Sequence, residues 1–348
     1  MRNKTARGFF DESERLSKLS EQGDPLLRLA RVIDWEGFRP LLDQMLKTEA
    51  KGKGGRPPFD YVMMFKVLVL QRYYNLSDDQ TEYQILDRMS FMRFLGLALS
   101  DKVPDSKTVW HFRERLTKAG GVEQLFAHFG AGLDAAGLLA HEGSIVDASF
   151  VEVPRQRNTR DENAEIKSGK TPESWPSKPN KLRQKDVDAR WVKKDNVNYY
   201  GYKNHVKADA KSKLVTCYAV TPASTHDSQP MTGLLRESDK DKSLHADSAY
   251  GGKPLEKSYQ AIGLQAHINE KGTPGHPLTE AQKAANREKS KVRARVEHIF
   301  GFIENSMGGS TSRLIGMRRT SALIGMVNLV YNMFRMIQLM GKAEKSIA

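Results

Sequence analysis

The chain has 348 residues, 39% hydrophobic and 28% charged, which is enough to bury one large core or two smaller ones. Fifty-five Lys and Arg against forty-two acids leave a formal charge of +13, which favours a polyanionic partner, most often nucleic acid. The single cysteine, Cys217, rules out an intrachain disulfide framework and lies in an apolar run that reads as core; with no apolar signal segment at the N-terminus, a reducing cytoplasmic setting is expected.

Taken in order, residues 1–22 are polar and aperiodic and are expected to be a loose tail. A helix is predicted after Asp24, with Pro25 at its first position and Leu26, Leu29 and Ile33 on its apolar face. Residues 49–58, rich in Gly, Lys and Pro, read as a hinge. From 59 to about 116 the pattern is helical: a long apolar helix over 61–74, a second opened by a capping box of Ser77 and Gln80, and a third over 109–116 carrying His111, Arg113 and Arg115. Several short helices ending on a basic one suit a DNA-binding region over 23–120, and Arg113 and Arg115 are its candidate phosphate contacts.

Strand signals begin at 143, where Ile145, Val146, Phe150 and Val151 surround one carboxylate, Asp147. A basic insertion over 154–198 follows, read as surface. It ends in two cationic-aromatic clusters, Arg190-Trp191-Val192-Lys193-Lys194 and Tyr199-Tyr200-Gly201-Tyr202-Lys203, of a kind that stacks on bases while holding phosphates. Residues 202–210 and 214–221 read as a hairpin, with Lys203 and Lys207 on its first strand as further phosphate candidates. A short helix over 229–237, a strand ending at Asp247, a strand over 264–268 and a helix over 279–305 complete a mixed five-stranded α/β sheet with helices on both faces. The apolar segment 323–340 is interrupted by Asn328, Asn332 and Arg335 and reads as a buried helix, so no membrane contact is expected.

A buried carboxylate without a partner is costly, and Asp147 is matched by a second strand carboxylate, Asp247. A third acid is available on the helix over 279–305, where Arg293, Glu297 and Glu304 border the apolar stripe of Val292, Val296, Ile299 and Ile303; helical geometry leaves Glu297 and Glu304 both open. Three converging carboxylates suit two Mg²⁺ ions (Mn²⁺ substituting) that neutralise the attacking and leaving oxygens of a phosphodiester. His226-Asp227 reads as a loop or supporting pair, and His298 as structural.

In the blocks Gly55-Arg56-Pro57-Pro58-Phe59-Asp60, Tyr73-Tyr74-Asn75-Leu76-Ser77-Asp78-Asp79-Gln80, Val146-Asp147-Ala148-Ser149, Tyr200-Gly201-Tyr202-Lys203-Asn204-His205, Ala246-Asp247-Ser248-Ala249-Tyr250 and Arg293-Ala294-Arg295-Val296-Glu297-His298, the chain resembles bacterial insertion-sequence DDE transposases of the IS-five group. The resemblance implies a ribonuclease H-like catalytic domain over 140–340 and selects Asp147, Asp247 and Glu297 as the catalytic, metal-holding acids. It implies double-stranded DNA partners (terminal inverted repeats and target DNA), a homodimer on paired ends and a nucleoid-associated location. Arg293 matches the Arg that relatives carry four residues before the Glu; Ser290 and Glu304 stand where relatives carry Tyr and Lys. An idle, element-derived repressor and a nuclease on the same fold are the alternatives.

Overall fold

The computed structural model describes residue 8, residues 10–47 and residues 57–347, with side chains as far as Gly341. Most of the predicted hinge, 49–56, lies outside the described residues. The chain divides into two compact units, Met1–Gly121 with Met340–Ala348, and Val122–Leu339.

The first unit is helical: α1 (Asp11–Glu21), α2 (Pro25–Val32), α3 (Arg39–Leu46), α4 (Tyr61–Tyr73), α5 (Asp78–Asp87), α6 (Met89–Leu95) and α7 (Ser106–Lys118). Its starts are written in side-chain caps. Asp24 accepts from the Leu26 amide, Asp60 from Met63 and Asp105 from Thr108, while Ser77 and Gln80 close a capping box. α4 is buried on nearly every side, from Val62 to Gln71, and Phe65 packs against Trp35 and Phe38 with ring centroids 6.0 and 4.9 Å apart. The expected loose tail is corrected over 11–21. α1 buries no residue, but Arg93 donates to the Leu16 carbonyl and the Ser20 hydroxyl and pairs with Asp24, which ties the helix down.

The second unit runs α8 (Gly121–Ala135), β1 (Gly143–Glu152), α9 (Arg160–Lys167), α10 (Pro179–Gln184), β2 (Arg190–Lys194), β3 (Val197–Asp209), β4 (Val215–Pro222), α11 (Met231–Leu234), β5 (Ser243–Ala246), α12 (Lys253–Ala261), β6 (Gln265–Ile268), α13 (Glu280–Arg293), α14 (Glu297–Met307) and α15 (Met317–Ile347). The sheet has six strands where five were expected. β1 lies between β3, antiparallel, and β5, parallel, with β6 beyond β5. The second edge of β3 is shared: residues 202–208 pair with β4 and residues 197–201 with β2. β2 is the extra strand. Asp195 and Asn196 both adopt positive φ (48° and 62°), the two-residue turn whose twist matches a hairpin. Without β2, the order β4-β3-β1-β5-β6 with two parallel strands closing the sheet is the ribonuclease H-like arrangement.

Alternation along β1 sends its side chains to two different layers. Val146 packs with Cys217, Met231, Leu234, Leu244, Tyr250 and Tyr259 under α11 and α12, so Cys217 is core. The opposite face meets α13, α14 and α15. There Asn328 and Asn204 exchange two amide hydrogen bonds at 3.0 and 3.1 Å, and Asn332 satisfies both backbone groups of Val215. The polar residues that interrupt the apolar segment are therefore what anchors α15 to the sheet. Met317–Gly341 has the length and composition of a membrane span, yet 72% of its apolar window is buried within the protein.

The insertion has a small core of its own, a correction to its reading as surface. Trp175 is fully buried, its indole donates to Glu162 Oε1 at 2.8 Å, and Lys181 pairs with the same carboxylate. Lys181 and then the indole hold the Glu162 carboxyl down at about 2. Asp186 fastens the insertion to β3 by accepting from Tyr202 Oη at 2.8 Å. Trp175→Ala should remove about 3–5 kcal/mol of packing. Limited proteolysis would then show new cuts confined to residues 154–198.

Candidate active site

β1 and β5 stop pairing after Ile145↔His245. Asp147 and Asp247 each lie two residues further on, and Asp247 is still extended (φ −76°, ψ 176°), so by two-residue alternation both belong to the face that meets α13. Asp147 is held by the Ala148 amide (2.8 Å) and by Arg293 Nη1 (2.9 Å). Burial pushes its carboxyl above the usual carboxylate range; the Ala148 amide pulls the other way, Asp247 adds to the rise, and Arg293 and Lys194 partly offset it. Asp247 caps the 3-10 turn Ser248–Tyr250 through the Ala249 amide at 2.8 Å.

Glu297 reaches this face by a different route from the one helical periodicity suggests. The helix expected over 279–305 is broken by a 3-10 turn at Ala294–Val296, so Arg293 ends α13 and Glu297 begins α14. Val296, Ile299 and Ile303 are buried and anchor α14. The Glu297 side chain is 70% exposed and lies 4.0 Å from Arg293 Nη2. Glu304 is exposed, two turns on. The structure thus brings Asp147 and Asp247 together and links Glu297 to them through the Arg293 guanidinium. Among the described residues no group of three or more His, Cys, Asp or Glu stands close enough to hold a metal.

The donor chemistry nonetheless fits a hard divalent cation at Asp147 and Asp247: both are carboxylates, and the unfavourable charge on Asp147 is what a cation relieves.

The other candidates sort by burial. Lys203 (7% exposed) donates to Asp227 and the Thr225 carbonyl at 2.7 Å, and Lys207 (2%) pairs with Asp239 at 2.6 Å; both are interior ion pairs, a correction to their reading as phosphate contacts. Arg113 is spent on Asp78 and Gln71, Arg115 on the Leu46 carbonyl, and Arg190 on the carbonyls of Val187, Ala189 and Ile166. Trp191, Lys193 and Lys194 remain exposed. Trp191 is capped by Arg155 at 5.3 Å, and Lys194 lies 5.9 Å over Phe150, itself stacked on Tyr199 at 4.2 Å. His226 bonds Ser228 in an exposed loop.

Tyr250 has no role assignable from sequence. It is fully buried and its hydroxyl meets no hydrogen-bond partner among the described residues. Burial first, then the charges of Asp147, Asp227 and Asp247, push it well above the ordinary phenol range. Its only sequence signal is its place three residues after Asp247.

A ribonuclease H-like sheet with acids on its central parallel pair defines a class of phosphodiester-processing enzymes. Residues 139–333, more than half of the chain, match the family model described as Transposase DDE domain, and residues 14–115 match Transposase domain (DUF772). The chain belongs to the DDE transposases, enzymes that act on DNA and work with divalent metal ions. Among solved structures it is similar to a piggyBac transposase synaptic complex with hairpin DNA, at 11% identity and a TM-score of 0.44, over 92% of this chain and 75% of that one.

Because the Asp147 carboxyl is raised in the folded state, its charge destabilises the fold at neutral pH, and that cost fades as pH falls through the raised value. Asp147→Asn should therefore gain about 1 kcal/mol and 2–4 °C in Tm at pH 7 in chelator, with the gain disappearing in acid. Thermal melts across pH measure it.

Proposed function

We propose that the chain cuts and rejoins DNA at the ends of its own insertion sequence, with Asp147, Asp247 and Glu297 as the catalytic acids. The observation that carries this is the equivalent placement of Asp147 and Asp247 on parallel neighbours, with Arg293 joining Asp147 to Glu297. When bound, two Mg²⁺ ions would neutralise the attacking and leaving oxygens of the phosphodiester, and Mn²⁺ would substitute. Asp147, central in the sheet and the most constrained of the three, would hold the ions together with Asp247 and Glu297.

The substrates are terminal inverted repeats and target duplex. The exposed face of β2 supplies the backbone and base contacts: Lys193 and Lys194 neutralise phosphate and Trp191 offers a ring for stacking. Lys194 reaches over the Phe150 ring (5.9 Å), three residues along β1 from Asp147. Two ends must be cut together for the element to leave, so a homodimer on paired ends is the working form, on the nucleoid.

Asp147→Asn, Asp247→Asn and Glu297→Gln should each cut end cleavage and strand transfer by about a thousandfold, since each removes several kcal/mol of charge neutralisation, while end binding persists. A linear duplex carrying the element's ends, incubated with Mg²⁺, reports both steps on one gel. Full cleavage by Asp247→Asn sinks the reading; binding without cleavage by the unaltered chain favours an idle repressor, and cleavage without joining a nuclease.

Replacing Lys193 and Lys194 by Ala should reduce the slope of log affinity against log salt by about 1 per lysine, and Trp191→Ala should cost about 1–3 kcal/mol where a base stacks. Fluorescence anisotropy with labelled duplex and single strand, repeated over salt, separates the two effects.

A further inference from the structure

The guanidinium of Arg293 stands where the acid site has room for positive charge. Nη1 is 2.9 Å from Asp147 Oδ2 and Nη2 is 4.0 Å from Glu297 Oε1, so one planar fork spans carboxylates 150 positions apart in the chain. Its Nε is buried and meets no acceptor among the described residues. Of its five N–H groups, then, one makes a short ionic bond, and the guanidinium is partly desolvated for little return.

The helix that carries it is lightly held. None of the fourteen residues of α13 is buried. It is fastened to the strand end beneath it by polar links: Asn269 to Ser290 (3.0 Å), Asn286 to both backbone groups of Glu270 (2.9 Å each), Gln282 to the Glu270 carboxylate (2.7 Å) and Lys289 to the Ile268 carbonyl (2.9 Å). Water replaces such links at small net cost, whereas an apolar face would resist. α14 behaves differently, because Val296, Ile299 and Ile303 pin it. Glu297 thus begins a helix pinned by buried side chains, whereas Arg293, four residues earlier and across the 3-10 turn, ends one held by hydrogen bonds.

We propose that Arg293 is the resident counter-ion of the acid site: it occupies the place of a divalent cation between Asp147 and Glu297, and a cation binds there only as the guanidinium leaves. This rests on the reading that these acids take divalent cations. Arg293 is accordingly a positioning residue that lowers the affinity of the site for metal. An ordinary supporting role, holding Asp147 in line for a metal, would raise that affinity, so the two differ in sign.

The test is Mn²⁺ binding to the full chain without DNA, followed by the electron paramagnetic resonance signal of free Mn²⁺. R293Q should bind Mn²⁺ about tenfold or more tighter than the unaltered chain, and the double variant D147N/R293Q should lose that gain. R293K keeps a charge but cannot span both carboxylates, and should fall between; it also serves as the test if circular dichroism shows R293Q to be unfolded. Equal or weaker binding by R293Q, or by R293K in its place, overturns the proposal. If D147N alone weakens Mn²⁺ binding while the Arg293 variants do not tighten it, only this inference fails. If D147N changes nothing and no variant binds, the metal reading of the acids fails with it.

Discussion

A carboxylate placed inside a strand of apolar residues is the constraint around which the catalytic unit is arranged. Asp147 belongs to β1, whose other face supplies Val146 to the main core, so the strand cannot shift to relieve the charge without unpacking that core. Desolvation and Asp247 both act against the ionised form. What offsets them is the next amide of the same strand, Ala148, and one guanidinium delivered from residue 293. The β1–β5 pairing ends at Ile145 and His245, so Asp147 and Asp247 both lie beyond its last rung. The strand order, the short β5 and the helix break before Glu297 are all consistent with one acid that must be both rigid and charged.

The surplus of positive charge has to be read with the interior in view. Lys203, Lys207, Arg113 and Arg190 all count toward +13, yet each is consumed by a carboxylate or by backbone carbonyls, in two cases at under 10% exposure. Such pairs are strongly destabilising to break and weakly stabilising to have. They set geometry: Lys207–Asp239 ties β3 to the segment after α11, and Lys203–Asp227 fixes the loop after β4 beside the acids. The cations left to meet a phosphate are fewer and more local than composition suggests, and β2 is one place where they gather with aromatic rings.

That contrast marks what the sequence could and could not reveal. Features decided by neighbours within four residues were legible: the Asp24 and Ser77 caps, the buried stretch of α4, the strands around Asp147 and Asp247. Features decided by distant partners were not. Lys207 and Asp239 are 32 positions apart and Arg293 and Asp147 are 146 apart, so a basic residue on a strand looked equally like a DNA contact and an ion pair. β2 was passed over because its cationic-aromatic residues suggested a surface cluster, although the Asp195-Asn196 pair carried a turn signal that completes a hairpin. Glu297 was singled out over Glu304 by family resemblance alone. Periodicity could not do it, because Glu297 and Glu304 stand seven residues, about two turns, apart on α14 and so share a face.

The 3-10 turn at Ala294–Val296 changes how the third acid should be understood. On a continuous helix, Arg293 and Glu297 would be an ordinary i, i+4 pair worth about 0.3–0.5 kcal/mol. Across the break they sit on separate helices with unequal attachment, α14 through buried Val296, Ile299 and Ile303, α13 through hydrogen bonds to a strand end. A guanidinium on the looser element, facing carboxylates on the firmer ones, is a switch in the thermodynamic sense: any ligand that competes for either partner shifts the other. If Arg293 is the resident counter-ion, a divalent cation would compete for the carboxylates and a DNA phosphate for the guanidinium. By linkage each would then strengthen the binding of the other by the same factor, whichever arrives first. A site built this way would carry part of its negative charge neutralised while idle and would gain cation affinity when DNA is present.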